Sequence, residues 1–223
     1  MGVYQIYPKK RRNFFGNFSV TVNLILINVV LFILVRVLLS IGILSENFFM
    51  NNIAISLENI KQLRLWTFLT SMFMHGGFFH LFANMFSLFF IGSLIERILG
   101  KKRYLWFYLI SGLFAGVLYV LIEFLFPSNL PAVGASGALF GLVGLLVLLT
   151  PNLPVYVMFI PIPIKMKYAG PGILILLWII SRAANIGIGN TAHLGGLVCG
   201  LVYGIYLKRK YKNKTKWLSR HFV

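Results

Sequence analysis

FSVTVNLILINVVLFILVRVLLS, residues 18–40, is a run of 23 residues with a single charge, Arg36. A helix of about 20 apolar residues matches the roughly 30 Å hydrocarbon thickness of a bilayer, so this run is expected to cross a membrane. It is long and lacks a small-residue cleavage site, and the expectation is that it stays in the mature protein. The rest of the chain has the same character. Its 223 residues are 59% hydrophobic and 11% charged, with a mean hydropathy of +0.86. A soluble core cannot hide several such runs, and lipid is the solvent that suits them.

The net charge of +17 would suggest nucleic acid in a soluble chain, but the basic residues fall in short stretches between apolar runs. Residues 9–12, 97–103, 165–167 and 208–220 hold 17 of the 21 lysines and arginines. The connections 41–74, 127–133 and 185–190 hold only Lys61 and Arg64. Cytoplasmic loops are enriched in Lys and Arg. The alternation therefore predicts an all-α polytopic membrane protein of six transmembrane helices with both termini cytoplasmic. The spans are expected near 18–40, 75–96, 103–126, 134–150, 168–184 and 190–207. A basic segment at 1–17 precedes them and a basic tail at 208–223 follows. Pro161, Pro163 and Pro171 interrupt the fifth apolar stretch. The lone Cys199 has no disulfide partner and reads as packing.

In this topology spans two, four and six run in the same direction, and each carries polar residues near its start: His75, His80 and Asn84, then Ser136, then His193. Polar groups inside a membrane are costly unless they face a bundle interior or a water-filled cavity. Taken singly, each has an ordinary reading: Ser136 as a small packing residue, His193 as an interhelical hydrogen bonder, and His80 with Asn84 as polar glue on one helix face. Together they offer a hydroxyl, a base to activate it, and donors for a developing oxyanion. Gly137 and Gly141 on one span, and Gly196, Gly200 and Gly204 on another, are each spaced by four. Two such smooth faces allow close packing that would bring Ser136 to His193.

Absences narrow the chemistry. The chain has no aspartate, which excludes a Ser-His-Asp triad and a paired-aspartate protease. None of Glu46, Glu58, Glu96 and Glu123 is expected beside His193, so a Ser-His dyad is the economical reading. There is no H-E-x-x-H, and Ala138 stands where a G-x-S-x-G elbow needs glycine. A metal on His75, His80 and His193 would lack acidic or thiolate ligands. No metal and no cofactor is expected.

These residues resemble the rhomboid intramembrane serine proteases over about 66–204. The carriers are His75-Gly76-Gly77-Phe78-Phe79-His80-Leu81-Phe82-Ala83-Asn84, Gly134-Ala135-Ser136-Gly137, and Ala192-His193-Leu194-Gly195-Gly196 with Gly200. The resemblance implies Ser136 as nucleophile, His193 as general base, and an oxyanion hole of His80, Asn84 and the Ser136 backbone N–H. It implies that His75 supports the site from the first turn of span two, that Gly134 shapes the backbone before the nucleophile, and that Gly196 lets span six approach span four. It also implies that the partners are transmembrane segments of membrane proteins, entering from the lipid bilayer and cleaved near their outer end, with helix-breaking residues favouring cleavage. Nucleic acid is not an expected partner. The expected location is a bacterial cell (inner) membrane, with the site opening to the extracytoplasmic side. The chain has Trp66-Thr67 where many members have Trp-Arg, and Phe140 where some place a tyrosine against the histidine. Phenylalanine keeps the stacking face and loses the hydroxyl.

Three features stand apart from the chemistry. Glu96 is either an interfacial charge or, by the resemblance, a hydrogen bonder between helices. Arg36 is expected to snorkel to the outer surface. The basic tail reads as a topology signal that also touches anionic lipid. Two other functions fit a small polytopic protein: a catalytically silent membrane-client binder, whose mark would be a missing serine or histidine, and a transporter, which would want a midplane site.

Overall fold

A computed structural model of the chain describes residues 19–128, 130–157, 160–184 and 187–221; the basic segment expected at 1–17 lies outside them. Among the described residues three helices are long and apolar enough to cross a membrane: α1 (Val20–Ser40), the stretch Phe78–Leu99, and α7 (Lys101–Leu125). The first long connection carries three short helices, α2 (Glu46–Asn52), α3 (Leu57–Lys61) and α4 (Thr67–Thr70), and a 3-10 turn at Ser71–Phe73. The stretch Phe78–Leu99 is three pieces: α5 (Phe78–Ser87), one π turn at Leu88–Gly92, and α6 (Ser93–Leu99). Then come α8 (Ser136–Leu149), α9 (Met166–Ala183), α10 (Asn190–Lys210) and α11 (Lys212–His221). The only sheet among the described residues is a two-residue antiparallel ladder, Pro154–Val155 against Ile164–Lys165, a small departure from the all-α expectation.

The bundle is built around α8. Eleven of its fourteen residues are buried, as expected of a helix that is apolar all round. By contrast α1 turns Leu26, Ile27, Val30, Ile33, Leu34 and Val37 outward, a surface suited to lipid. The two glycine rows meet as the spacing predicts, and α10 lies backbone to backbone on α8. A Cβ at Gly196 would lie 3.0 Å from the Gly137 carbonyl carbon and 3.1 Å from the Gly141 nitrogen. Main chain cannot swing aside as a side chain can. Gly196→Ala is therefore expected to force the two helices apart and to cost about 1–3 kcal/mol, read as a lower unfolding midpoint in detergent; an unchanged midpoint would contradict the seam.

Glu96 has the structural role. Its carboxylate accepts the backbone N–H of Val20 (2.8 Å) and Thr21 (2.9 Å) and the Thr21 hydroxyl (2.8 Å). It thus caps the first turn of α1 from α6, satisfying orphan donors and complementing the helix dipole. Charged acceptors make the stronger hydrogen bonds, so Glu96→Ala is expected to cost about 2–4 kcal/mol. Glu96→Gln, which keeps one acceptor oxygen, should recover part of that in the same unfolding measurement.

Three expectations are revised, and the basic tail gains a structure. Pro171 lies within α9 and does not interrupt it, because it is the sixth residue and the N–H it lacks would serve only the exposed first turn. His75 is not in the first turn of span two; it lies in the approach to α5, which begins at Phe78 after Gly76-Gly77. Arg36 does more than snorkel, since its guanidinium donates to the Gly76 carbonyl and lies 5.4 Å from the Phe32 ring. It thereby ties α1 to the start of α5. The tail from 208 is helical, first as the last turn of α10 and then as α11.

Candidate active site

The segment leading into α8 is held from two sides. Ala132 and Ile55 exchange backbone hydrogen bonds of 2.8 and 3.0 Å, and the Gly134 N–H donates to the Ser71 carbonyl at 2.9 Å. The first long connection therefore fixes the chain just ahead of Ser136. That connection is itself well seated despite Trp66-Thr67. The Trp66 indole donates to the Asn52 carbonyl at 2.8 Å, Thr67 donates to the Arg64 carbonyl at 2.7 Å, and Arg64 bonds the Asn51 carbonyl and the Asn59 side chain. Gly134 has φ +136°, a conformation that other residues rarely adopt. A Cβ there would also lie 2.8 Å from His80 Nε2 and 3.5 Å from Ser136 Oγ. The bare glycine thus makes room for the His80 imidazole beside the serine.

Ser136 is the first residue of α8, so its N–H belongs to the first turn, where backbone donors have no intrahelical partner. His193 lies in the first turn of α10, buried, with Nε2 2.8 Å from Ser136 Oγ. Phe140, one turn after Ser136, stacks on the His193 ring at 4.6 Å and 19°. The position expected to lack a hydroxyl thus still supplies a flat face for the imidazole. His193 Nδ1 has no hydrogen-bond partner among the described residues. Glu96 is engaged with α1, and Glu123 accepts from the Ser128 N–H and hydroxyl. Among the described residues the arrangement is a pair, with no third carboxylate bonded to His193 Nδ1.

On α5, Asn84 lies one turn after His80 and is buried, and its Nδ2 donor is without a partner among the described residues. Leaving a buried amide donor unsatisfied costs about 1–3 kcal/mol, a cost an active site tolerates when the donor has work in the reaction. His75 is also buried, and meets His80 edge to face at 5.1 Å and 72°. Ser136, His193, His80, His75, Phe140 and Gly134 therefore fall into one neighbourhood, and Asn84 lies one helical turn after His80 on α5. Sequence reasoning misses the Ser71 carbonyl, the Ile55–Ala132 bridge and the Arg36–Gly76 contact. Backbone acceptors leave no signature in residue type.

A family model described as Rhomboid domain matches residues 62–210. The chain belongs to the rhomboid family. RHOMBOID-like protein 12, mitochondrial, of Arabidopsis thaliana is 33% identical over 80% of this chain and 55% of its own length. Rhomboid protease GluP of Bacillus subtilis (strain 168) is 32% identical over 63% of this chain and 26% of its own length. Inactive RHOMBOID-like protein 8 of Arabidopsis thaliana is 36% identical over 45% of this chain and 30% of its own length. The chain spans about half or less of the length of these relatives. Family and apolar helices together make this rhomboid an integral membrane protein.

Proposed function

We propose that this rhomboid is an intramembrane serine endopeptidase working through a Ser136–His193 dyad. The observation that carries the reading is the 2.8 Å contact between His193 Nε2 and Ser136 Oγ. In the proposed reaction Ser136 Oγ attacks a substrate carbonyl carbon while its proton passes to His193 Nε2. The negative charge that develops on the carbonyl oxygen is met by the Ser136 N–H, His80 and Asn84 Nδ2. His193 then gives its proton to the leaving amine as the C–N bond breaks. Water, deprotonated by His193, cleaves the remaining ester and restores the hydroxyl. Phe140 holds the imidazole plane, Gly134 and Gly196 permit the two close approaches, and His75 supports His80 from the approach to α5.

The substrates proposed are transmembrane segments of membrane proteins, cut near their outer end. The proposed topology is six crossings, made by α1, α5–α6, α7, α8, α9 and α10, with both termini cytoplasmic and the site opening to the extracytoplasmic side. A helix of fourteen residues such as α8 rises about 21 Å, short of the roughly 30 Å hydrocarbon thickness. Ser136 at its start would then be sunk below the outer surface, reached by a substrate from the lipid side. A bacterial cell membrane is the proposed location, although relatives such as RHOMBOID-like protein 12 are plant proteins named mitochondrial.

A second reading, a catalytically silent client binder, is motivated by the relative named inactive. Reaction with a fluorophosphonate separates the two, because only an activated serine is labelled. Ser136 should be labelled, because its hydroxyl has a base within hydrogen-bond distance. A protein that resists labelling while binding transmembrane peptides would favour the second reading. His193→Ala should lose the labelling, and labelling that survives it would remove His193 as the base.

A further inference from the structure

The end of the bundle opposite Ser136 is basic to an extent that the proposed reaction does not use. Here α10 ends in Lys208, Arg209 and Lys210, and the chain turns at Tyr211 into α11, which packs back against α8 and α10. Thr215, Leu218 and Ser219 face inward, half-buried, and Leu218 joins the core. Lys212, Lys216 and Arg220, spaced by four, form an exposed row. Trp217 lies beside that row, 59% exposed.

One further cation, Arg103, joins Lys210 at the junction. The Arg103 guanidinium and the Lys210 ammonium each lie 5.8 Å from the Tyr211 ring, and Lys210 also donates to the Tyr206 hydroxyl at 2.8 Å. Gathering like charges is unfavourable unless an anion joins them. The chain supplies no carboxylate side chain for that purpose. Glu46 and Glu58 lie on the first connection, Glu123 bonds Ser128, and Glu96 caps α1. An anion from outside the chain is the complement that this surface calls for.

We propose that α11 is an in-plane helix that docks on anionic phospholipid headgroups of the leaflet at this end of the bundle. The Lys212–Lys216–Arg220 row and the Arg103–Lys210 pair would engage headgroup phosphates, with Trp217 seated at the interface. A helix rich in Lys and Arg with an outward tryptophan is the composition that lies in the headgroup region, and basic segments next to a span are attracted to anionic lipid. The inner face of α11 is already occupied by the bundle, so the lipid contact is made by the basic arc. Binding to the native state alone raises stability by mass action, which gives an assay independent of proteolysis.

The test uses the full-length Ser136→Ala protein in uncharged detergent, with thermal unfolding followed as phosphatidylglycerol or phosphatidylcholine is added. Phosphatidylglycerol should raise the midpoint by several degrees and phosphatidylcholine should not. The triple variant K212Q/K216Q/R220Q should lose more than half of that rise, while Lys61→Gln, at the other end of the bundle, keeps it. Brominated phosphatidylglycerol should quench tryptophan emission more in the parent than in Trp217→Phe. Equal shifts with the two lipids, a triple variant that keeps the full rise, or an equal rise with inorganic phosphate would each overturn the proposal.

Discussion

Replacing Ser136 by alanine is expected to abolish cleavage of a transmembrane reporter, with a fall of at least about 10⁴-fold, while the protein remains folded. The side chain lost is a single hydroxyl at the start of α8, bonded to His193 Nε2 at 2.8 Å. Its removal opens no large cavity and leaves the α8–α10 seam untouched. Unfolding midpoint and yield should therefore match the parent. Activity should fall to what donors and binding supply without a nucleophile. Undiminished cleavage by Ser136→Ala would sink the dyad and the proposed function with it. The same variant retains the whole lipid-facing surface of α11, so the two proposals fail separately.

The second large effect is expected at Asn84. Its buried Nδ2 has no partner among the described residues of the resting protein, and in the proposed reaction it meets the oxyanion only as charge develops. Removing one such donor costs about 10²–10³-fold in kcat, or about 2.7–4 kcal/mol. Asn84→Ala should therefore lower kcat by that much with little change in KM, because ground-state binding does not use the donor. Asn84→Asp is nearly the same shape but places an acceptor, and when ionised a negative charge, where negative charge must form; its loss should exceed that of alanine. Stability moves the other way, since Asn84→Ala removes an unsatisfied buried donor and should leave the unfolding midpoint unchanged or raised. A fall in KM-dependent binding alone, with kcat intact, would place Asn84 outside the oxyanion hole.

Much of this arrangement is legible in residue order alone. Hydropathy and charge alternation mark the apolar helices, and polar residues at matching depth mark the neighbourhood of Ser136, His193, His80 and Asn84. The spacing of Gly137, Gly141, Gly196 and Gly200 marks the seam, because small residues leave a periodic trace. What escapes depends on partners distant along the chain or on groups that every residue carries. Glu96 finds the backbone of Val20 and Thr21 some 75 residues earlier. Ile55 meets Ala132, and Gly134 meets Ser71, through main-chain atoms alone. The tail hides a helix because its sequence is mostly polar: of its inward residues Thr215, Leu218 and Ser219, only Leu218 is apolar and joins the core. His75 falls outside the helix because Gly76-Gly77 lets the chain remain extended up to Phe78, although the motif reads as continuous helix.

The π turn at Leu88–Gly92 divides the second span into an upper half bearing His80 and Asn84 and a lower half bearing Glu96. An α-helix advances about 100° per residue, and a π turn accommodates one residue more than an α turn. It acts as a phase adjuster, letting the lower half keep the azimuth that reaches α1 while the upper half keeps the azimuth that reaches Ser136. Deleting a single residue from the regular helix on either side of that turn would rotate one functional half about 100° against the other, because no π turn is there to absorb the change. The shaft would still span the bilayer, but it could serve only one of its two ends.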